Sequence, residues 1–238
     1  MSKNKLEKFA ENEIFKNVFQ PPAKGIITED FEMKGKWNVI HFKNNNPLVL
    51  ELGCGKGEYS IALALENPNI NIIGIDIKGA RIWRGAKTAT EQNINNVAFL
   101  RTKIEHITRF FAEDEISEIW IPFPDPQPKR QKKRLTSNLF LSFYQKILKN
   151  EGIIHLKTDS LELHQFTNAL LDKNQIEPIE AYTDIYSENI DSILTKIQTF
   201  YEKIFLNEGK KITYVSFRLN KNKVIIAPDK TDNPGYKY

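Results

Sequence analysis

The chain has 238 residues, with 34 Lys or Arg against 30 Asp or Glu and a net charge of +4. One cysteine, Cys54, excludes an internal disulfide framework and a multi-cysteine metal centre, and four scattered histidines (His41, His106, His155, His164) argue against any metal site. No apolar run reaches membrane-span length and the opening "MSKNKLEKFAENEIF" lacks a secretory apolar core, so a reducing, cytoplasmic setting is expected.

Residues 1–46 are polar and broken by "QPPAKG" and "KNNN"; they read as a partly helical N-terminal arm. From Pro47 a regular alternation begins. "PLVLEL" is a short apolar run ended by glycines, hence a buried strand. "YSIALALEN" is helical, "NIIGIDI" a strand and "GARIWRGAKTATEQN" a helix. "NVAFLRT" is a strand and "EHITRFFAED" a helix. "SEIWIPF" is a strand, "SNLFLSFYQKILKN" a helix, "GIIHLKTD" a strand and "LELHQFTNALLDKN" a helix. "SENIDSILTKIQTFYEKIF" is helical, "KITYVSFRL" a strand, and residues 221–238 a tail. Strand alternating with helix predicts an α/β domain over 47–220, with a mostly parallel sheet covered on both faces. Trp83 and Trp120 are assigned to the core.

The first strand runs into "ELGCGKGEYS". Gly53, Gly55 and Gly57 follow a strand and open a helix, where an open α/β sheet binds nucleotide-like ligands. The spacing is G-x-G-x-G. Glu58 stands where the dinucleotide fingerprint needs its third glycine, which disfavours a dehydrogenase. Glu51 and Glu58 make the loop acidic, so a ligand with a cationic end, such as S-adenosylmethionine, suits it better than a pyrophosphate. Asp76 ends the second strand, placed to accept hydrogen bonds from both ribose hydroxyls or else to cap a helix.

After the fourth strand comes "FPDPQPKRQKKRL". Asp125 lies between Pro124 and Pro126, followed by Lys129, Arg130, Lys132, Lys133 and Arg134. The flanking prolines stiffen the mount of that carboxylate. The cations form a patch suited to phosphates, with little power to read sequence. Lys78, Arg81, Arg84 and Lys87 share one helix face and read as a solvated one, the alternative being an extension of the phosphate-binding track.

The ordered set "LELGCGKG", "IGIDIKG", "IWIPFPDPQPK…KRL", "HLKTD" and "TFYE" resembles the bacterial tRNA (guanine-N7)-methyltransferases, over about residues 45–219. The resemblance implies a Rossmann-like class I methyltransferase with a seven-stranded sheet, S-adenosyl-L-methionine as cofactor, and methylation of N7 of the variable-loop guanine, position 46 of tRNA. It implies cofactor contacts at Glu51, Gly53, Gly55, Gly57, Asp76, Lys103 and Asp125, with Asp125 between cofactor and base. It implies tRNA contacts at Lys129, Asp159, Thr199, Phe200, Tyr201 and Glu202, in a monomer or homodimer with no membrane or metal partner. The chain departs from the family pattern in four places. Gln127 follows "FPDP" where Trp is usual, the basic run lacks a histidine and is about two residues shorter, and Lys103 replaces an adenine-side carboxylate, with Glu105 as a possible substitute. A methyltransferase for another RNA or a small molecule, and an RNA-binding module with a vestigial pocket, are the alternatives.

Overall fold

The computed structural model describes residues 4–21, 29–188 and 190–229. The chain before Pro47 forms α1 (Lys5–Ile14), closed by a capping box between Asn4 and Glu7, and a two-residue strand, β1 (Val18–Phe19). It also supplies Trp37, which is fully buried. Then follow β2 (Leu48–Leu52), α2 (Glu58–Glu66), β3 (Asn71–Asp76), α3 (Gly79–Glu91), β4 (Val97–Arg101), β5 (Ile116–Pro122), α4 (Asn138–Tyr144), β6 (Leu148–Thr158) and α5 (Leu161–Lys173). The chain closes with β7 (Pro178–Tyr182), α6 (Ile193–Lys196), α7 (Phe200–Asn207) and β8 (Thr213–Arg218).

The strands form one sheet in the order β1-β4-β3-β2-β5-β6-β8-β7. β1 to β6 are parallel; β8 lies antiparallel between β6 and β7. Side chains of a strand point alternately to opposite faces. Leu48, Leu50 and Leu52 of β2 accordingly enter one apolar layer and Val49 the other. Phe140 and Leu141 of α4 and Leu163, Phe166 and Leu170 of α5 complete the first layer. Tyr59 and Leu63 of α2 and Ile82 and Ala86 of α3 complete the second. Trp83 and Trp120 are buried, as expected.

The sheet has eight strands where the resemblance implied seven: to the six read along the chain the N-terminal segment adds β1 at one edge and "PIEAY" adds β7 at the other. β7 is almost wholly exposed and opens on Pro178, as an edge strand permits, so it lacks the apolar pattern that marks a buried strand. Three expected helices are shorter. "EHITRFFAED" forms only a 3-10 stretch, Ile104–Arg109. α4 stops at Tyr144 because Leu148 begins β6 and pairs with Ile116. The helix expected over 187–205 is split into α6 and α7. Residues 22–25 of the "QPPAKG" break and 230–238 of the tail lie outside the described residues. No helix among the described residues is long and apolar enough to cross a membrane.

Candidate functional site

The chain steps outward from β2 through β3 to β4, then returns to β5 on the other side of β2. The crevice beyond the carboxyl ends of such strands, at the point where the order reverses, is the ligand position of open α/β sheets. A cleft partly open to solvent lies there, walled by Glu51, Gly53, Gly55, Lys56 and Glu58 of the β2–α2 region, Phe123 after β5, and Thr199, Phe200 and Tyr201.

Glu51 is 2% exposed and accepts a hydrogen bond from Ser60 Oγ. Burial pushes its carboxyl up to about 8, against the lowering effect of the Ser60 hydroxyl. A carboxyl held in that way gains most from a cation placed beside it. Asp76 ends β3, where Oδ2 accepts from the Gly55 amide at 2.9 Å and Oδ1 from the Lys78 amide at 2.7 Å. A carboxylate has about four acceptor positions, so Asp76 can hold the loop and still receive two hydroxyls. It is not the cap of α3: the capping position is Lys78, with no side-chain bond.

The glycines differ. Gly53 has φ +76°, and a Cβ there would meet nothing within 4 Å, so its open side faces space a ligand can take. Gly57 has φ +71°, and a Cβ would come within 2.5 Å of Phe99 Cε1. Its constraint comes from the protein itself. The two carboxylates, as acceptors, thus fit a ligand with a cationic end and a vicinal diol. Among the described residues no group of three or more His, Cys, Asp or Glu is arranged to hold a metal ion.

Asp125 is exposed and follows β5 on the same sheet edge, outside the cleft wall. Gln127, with φ +46°, folds back on it: its amide donates to Oδ1 at 3.1 Å and its Nε2 to Oδ2 at 2.7 Å. Asp159 follows β6, the neighbouring strand, and lies 3.4 Å from Lys210 Nζ. It does not cap α5; Ser160 does, accepting from the Leu163 amide. Lys103 is exposed and precedes the 3-10 stretch. Glu105 bonds Lys133 Nζ at 3.1 Å; its carboxyl lies below the usual range because its own backbone amide and Lys133 outweigh the opposing effect of burial.

The basic run is not one patch. Lys129, Arg130 and Lys132 are exposed, and Lys133 is tied to Glu105. Arg134 is fully buried: Nε donates to the Pro126 carbonyl at 3.0 Å, Nη2 to Glu162, and the guanidinium lies 4.6 Å from the Phe166 ring centroid. The expected inclusion of Arg134 in the surface patch is therefore corrected. It is an internal brace.

"TFYE" is a capping box. Thr199 Oγ1 accepts from the Glu202 amide at 3.2 Å, and Glu202 Oε2 accepts from the Thr199 amide at 3.4 Å. Phe200 and Tyr201, 52% and 50% exposed, project from the first turn, and the Phe200 amide donates to Glu58 at 2.7 Å. Glu202 faces inward, 2.7 Å from Lys157 Nζ. Sequence reasoning missed Lys157 and Glu58 as partners of this segment. The signals were available: T-x-x-E is a capping pattern, and a lysine inside an apolar strand needs a buried partner.

Residues 45–215 match the family model described as "Putative methyltransferase". The chain is 55% identical over 221 residues to a tRNA (guanine-N(7)-)-methyltransferase of Christiangramia forsetii, covering 92% of this chain and 99% of that one. It is 48% identical to the protein of that name from Bacteroides thetaiotaomicron, covering 96% and 91% of the two chains. Among solved structures, the 16S rRNA methyltransferase KamB superposes with TM-score 0.60 at 12% identity, over 81% of this chain and 95% of that one. At that identity the likeness speaks for the fold, a Rossmann-like class I methyltransferase. With half of its residues shared over nearly the full length of such relatives, the chain belongs to the tRNA (guanine-N7)-methyltransferase family.

Proposed function

We propose that the protein transfers a methyl group from S-adenosyl-L-methionine to N7 of guanine-46 in the variable loop of tRNA. The observation that carries this reading is the meeting, on one sheet edge, of an acidic glycine-loop cleft with a stiffened carboxylate and three exposed cations. When bound, S-adenosylmethionine supplies a methyl group activated by a positive sulfonium. Glu51 receives the cationic end of that ligand, Asp76 its ribose hydroxyls, and the loop at Gly53 the close approach of its backbone. The resemblance also assigns Gly55, Gly57 and Lys103 to this subsite; Lys103 serves through its backbone, since its side chain is solvated.

Guanine N7 carries an in-plane lone pair and needs no deprotonation. The protein's task is therefore to position the base and to stabilise charge. Asp125 offers a fixed carboxylate to the positive charge that arrives on the purine. Asp159 accepts from the guanine N1–H and exocyclic amine, a donor pair that adenine lacks. Phe200 and Tyr201 give the base or its sugar a flat apolar wall, and Lys129, Arg130 and Lys132 hold phosphates. Residues 47–220 form the catalytic domain, flanked by the arm 1–46 and the tail 221–238, in a cytoplasmic monomer or homodimer.

The test is to incubate the purified protein with labelled S-adenosylmethionine and unmodified tRNA, then map the product. The expected outcome is one 7-methylguanine in the variable loop. Label elsewhere, or none under conditions where the protein is folded and binds cofactor, overturns the reading.

A further inference from the structure

Lys157 is the penultimate residue of β6, and no part of it reaches solvent. Its ammonium donates to three acceptors: the Leu194 carbonyl at 2.6 Å, the Ile197 carbonyl at 3.0 Å and Glu202 Oε1 at 2.7 Å. An ammonium has three N–H donors, so none remains for a substrate. Glu202 is equally buried. Besides Lys157 it receives the Tyr186 hydroxyl at 2.8 Å and the Thr199 amide. The charge also lies 5.5 Å from the ring centroid of Tyr59 and 5.7 Å from that of Phe123, both walls of the cleft. One buried cation therefore touches the end of β5, the start of α2, both ends of α6 and the first turn of α7.

We propose that Lys157 and Glu202 are a positioning pair: together they dock the α6–α7 segment on the sheet edge, set the Thr199–Tyr201 wall of the cleft, and touch neither cofactor nor base. The proposal rests on the functional reading above and replaces the substrate contact that the resemblance gave to Glu202. Removing one member of a buried ion pair leaves an uncompensated charge in the interior, whereas neutralising both relieves it. A carboxylate that bound guanine directly would behave otherwise, since losing it would remove activity whatever residue stood at 157.

The experiment is a double-mutant cycle of Lys157→Met, Glu202→Gln and the double variant in the full chain. It reads kcat and KM for tRNA where circular dichroism shows the proteins folded, and hydrogen exchange of the amides of 194–206. Lys157→Met should lower kcat/KM on the order of a hundredfold and raise exchange in that segment by a similar factor. In the Glu202→Gln background the same change should cost at least tenfold less, with exchange restored toward wild type. Should Lys157→Met fail to fold, a folded double variant supports the pair and an unfolded one overturns it. Effects that simply multiply, or a double variant with restored exchange and no restored turnover, overturn the proposal in favour of direct contact. If the wild-type protein makes no 7-methylguanine, the functional reading fails instead, and the exchange data still decide whether the pair docks the segment.

Discussion

Gln127 turns its backbone into the left-handed region so that amide and side chain both reach Asp125. The carboxylate is held in place before any substrate arrives, which is what preorganised charge stabilisation requires. Asp125→Asn should lower kcat by roughly a hundredfold to a thousandfold, with cofactor Kd, measured by calorimetry, changed only a few fold; an unaltered kcat would remove Asp125 from the chemistry. Gln127→Ala loosens the mount without deleting the charge. It deletes the side-chain bond and keeps the amide one; at about 1 kcal/mol for that bond, kcat should fall about fivefold. Glu51 makes a pH prediction. Its carboxyl is raised to about 8 by burial, so the folded protein binds a proton that the unfolded chain gives up near the ordinary carboxyl value of 4.5. Stability of the protein without cofactor therefore falls as pH rises through that window. A cation seated beside Glu51 expels the proton. Calorimetry in buffers of different ionisation enthalpy should detect proton release on cofactor binding near pH 7, and Glu51→Gln should abolish it.

The short connecting elements carry more of the site than the long ones. α7 starts on a capping box whose two members had been expected to contact substrate. Thr199→Ala should cost about 1 kcal/mol of stability, read by denaturant unfolding. The glycine loop was legible as a ligand turn, because glycines between a strand and a helix have few other reasons to cluster. Which glycine serves a ligand was not. Gly57 is held by Phe99 of β4, 42 positions downstream (99 − 57), and that distance comes only from the fold. Gly57→Ala should destabilise the protein by about 2 kcal/mol even without cofactor, through its left-handed backbone and the clash. In the basic run, six consecutive positions have at least three different fates. Nothing in their local composition separates Arg134, buried against Glu162 and Phe166, from Lys129, which is exposed. Charge says which residues attract phosphate; burial says which of them can reach it.

For the whole molecule, the three exposed cations beside Asp125 make tRNA affinity salt-dependent. Replacing Lys129, Arg130 and Lys132 together by alanine should flatten the slope of log Kd against log salt by about two, with little loss of thermal stability. Arg134→Ala should do the reverse, lowering stability while leaving the slope in place. Filter binding across a salt series and thermal unfolding separate the two. The sheet's central plan was readable from the chain because it is written in local periodicity: apolar runs of strand length, amphipathic runs of helix length, and turns between them. Those patterns gave five of the six parallel strands and the antiparallel β8, and the ordered motifs gave the family. Its edges were not readable, since β1 has two residues and β7 no buried face. The partners of the charges were not readable either. Lys157 and Glu202 stand 45 positions apart (202 − 157), and Lys133 meets Glu105 across 28. The sequence alone settles which chemical groups the chain owns and in which elements they ride, because both follow from neighbours along the chain. Whether a given charge grips a phosphate, holds a loop or braces the interior is settled by folding, because desolvation and pairing depend on groups that only the tertiary structure brings together.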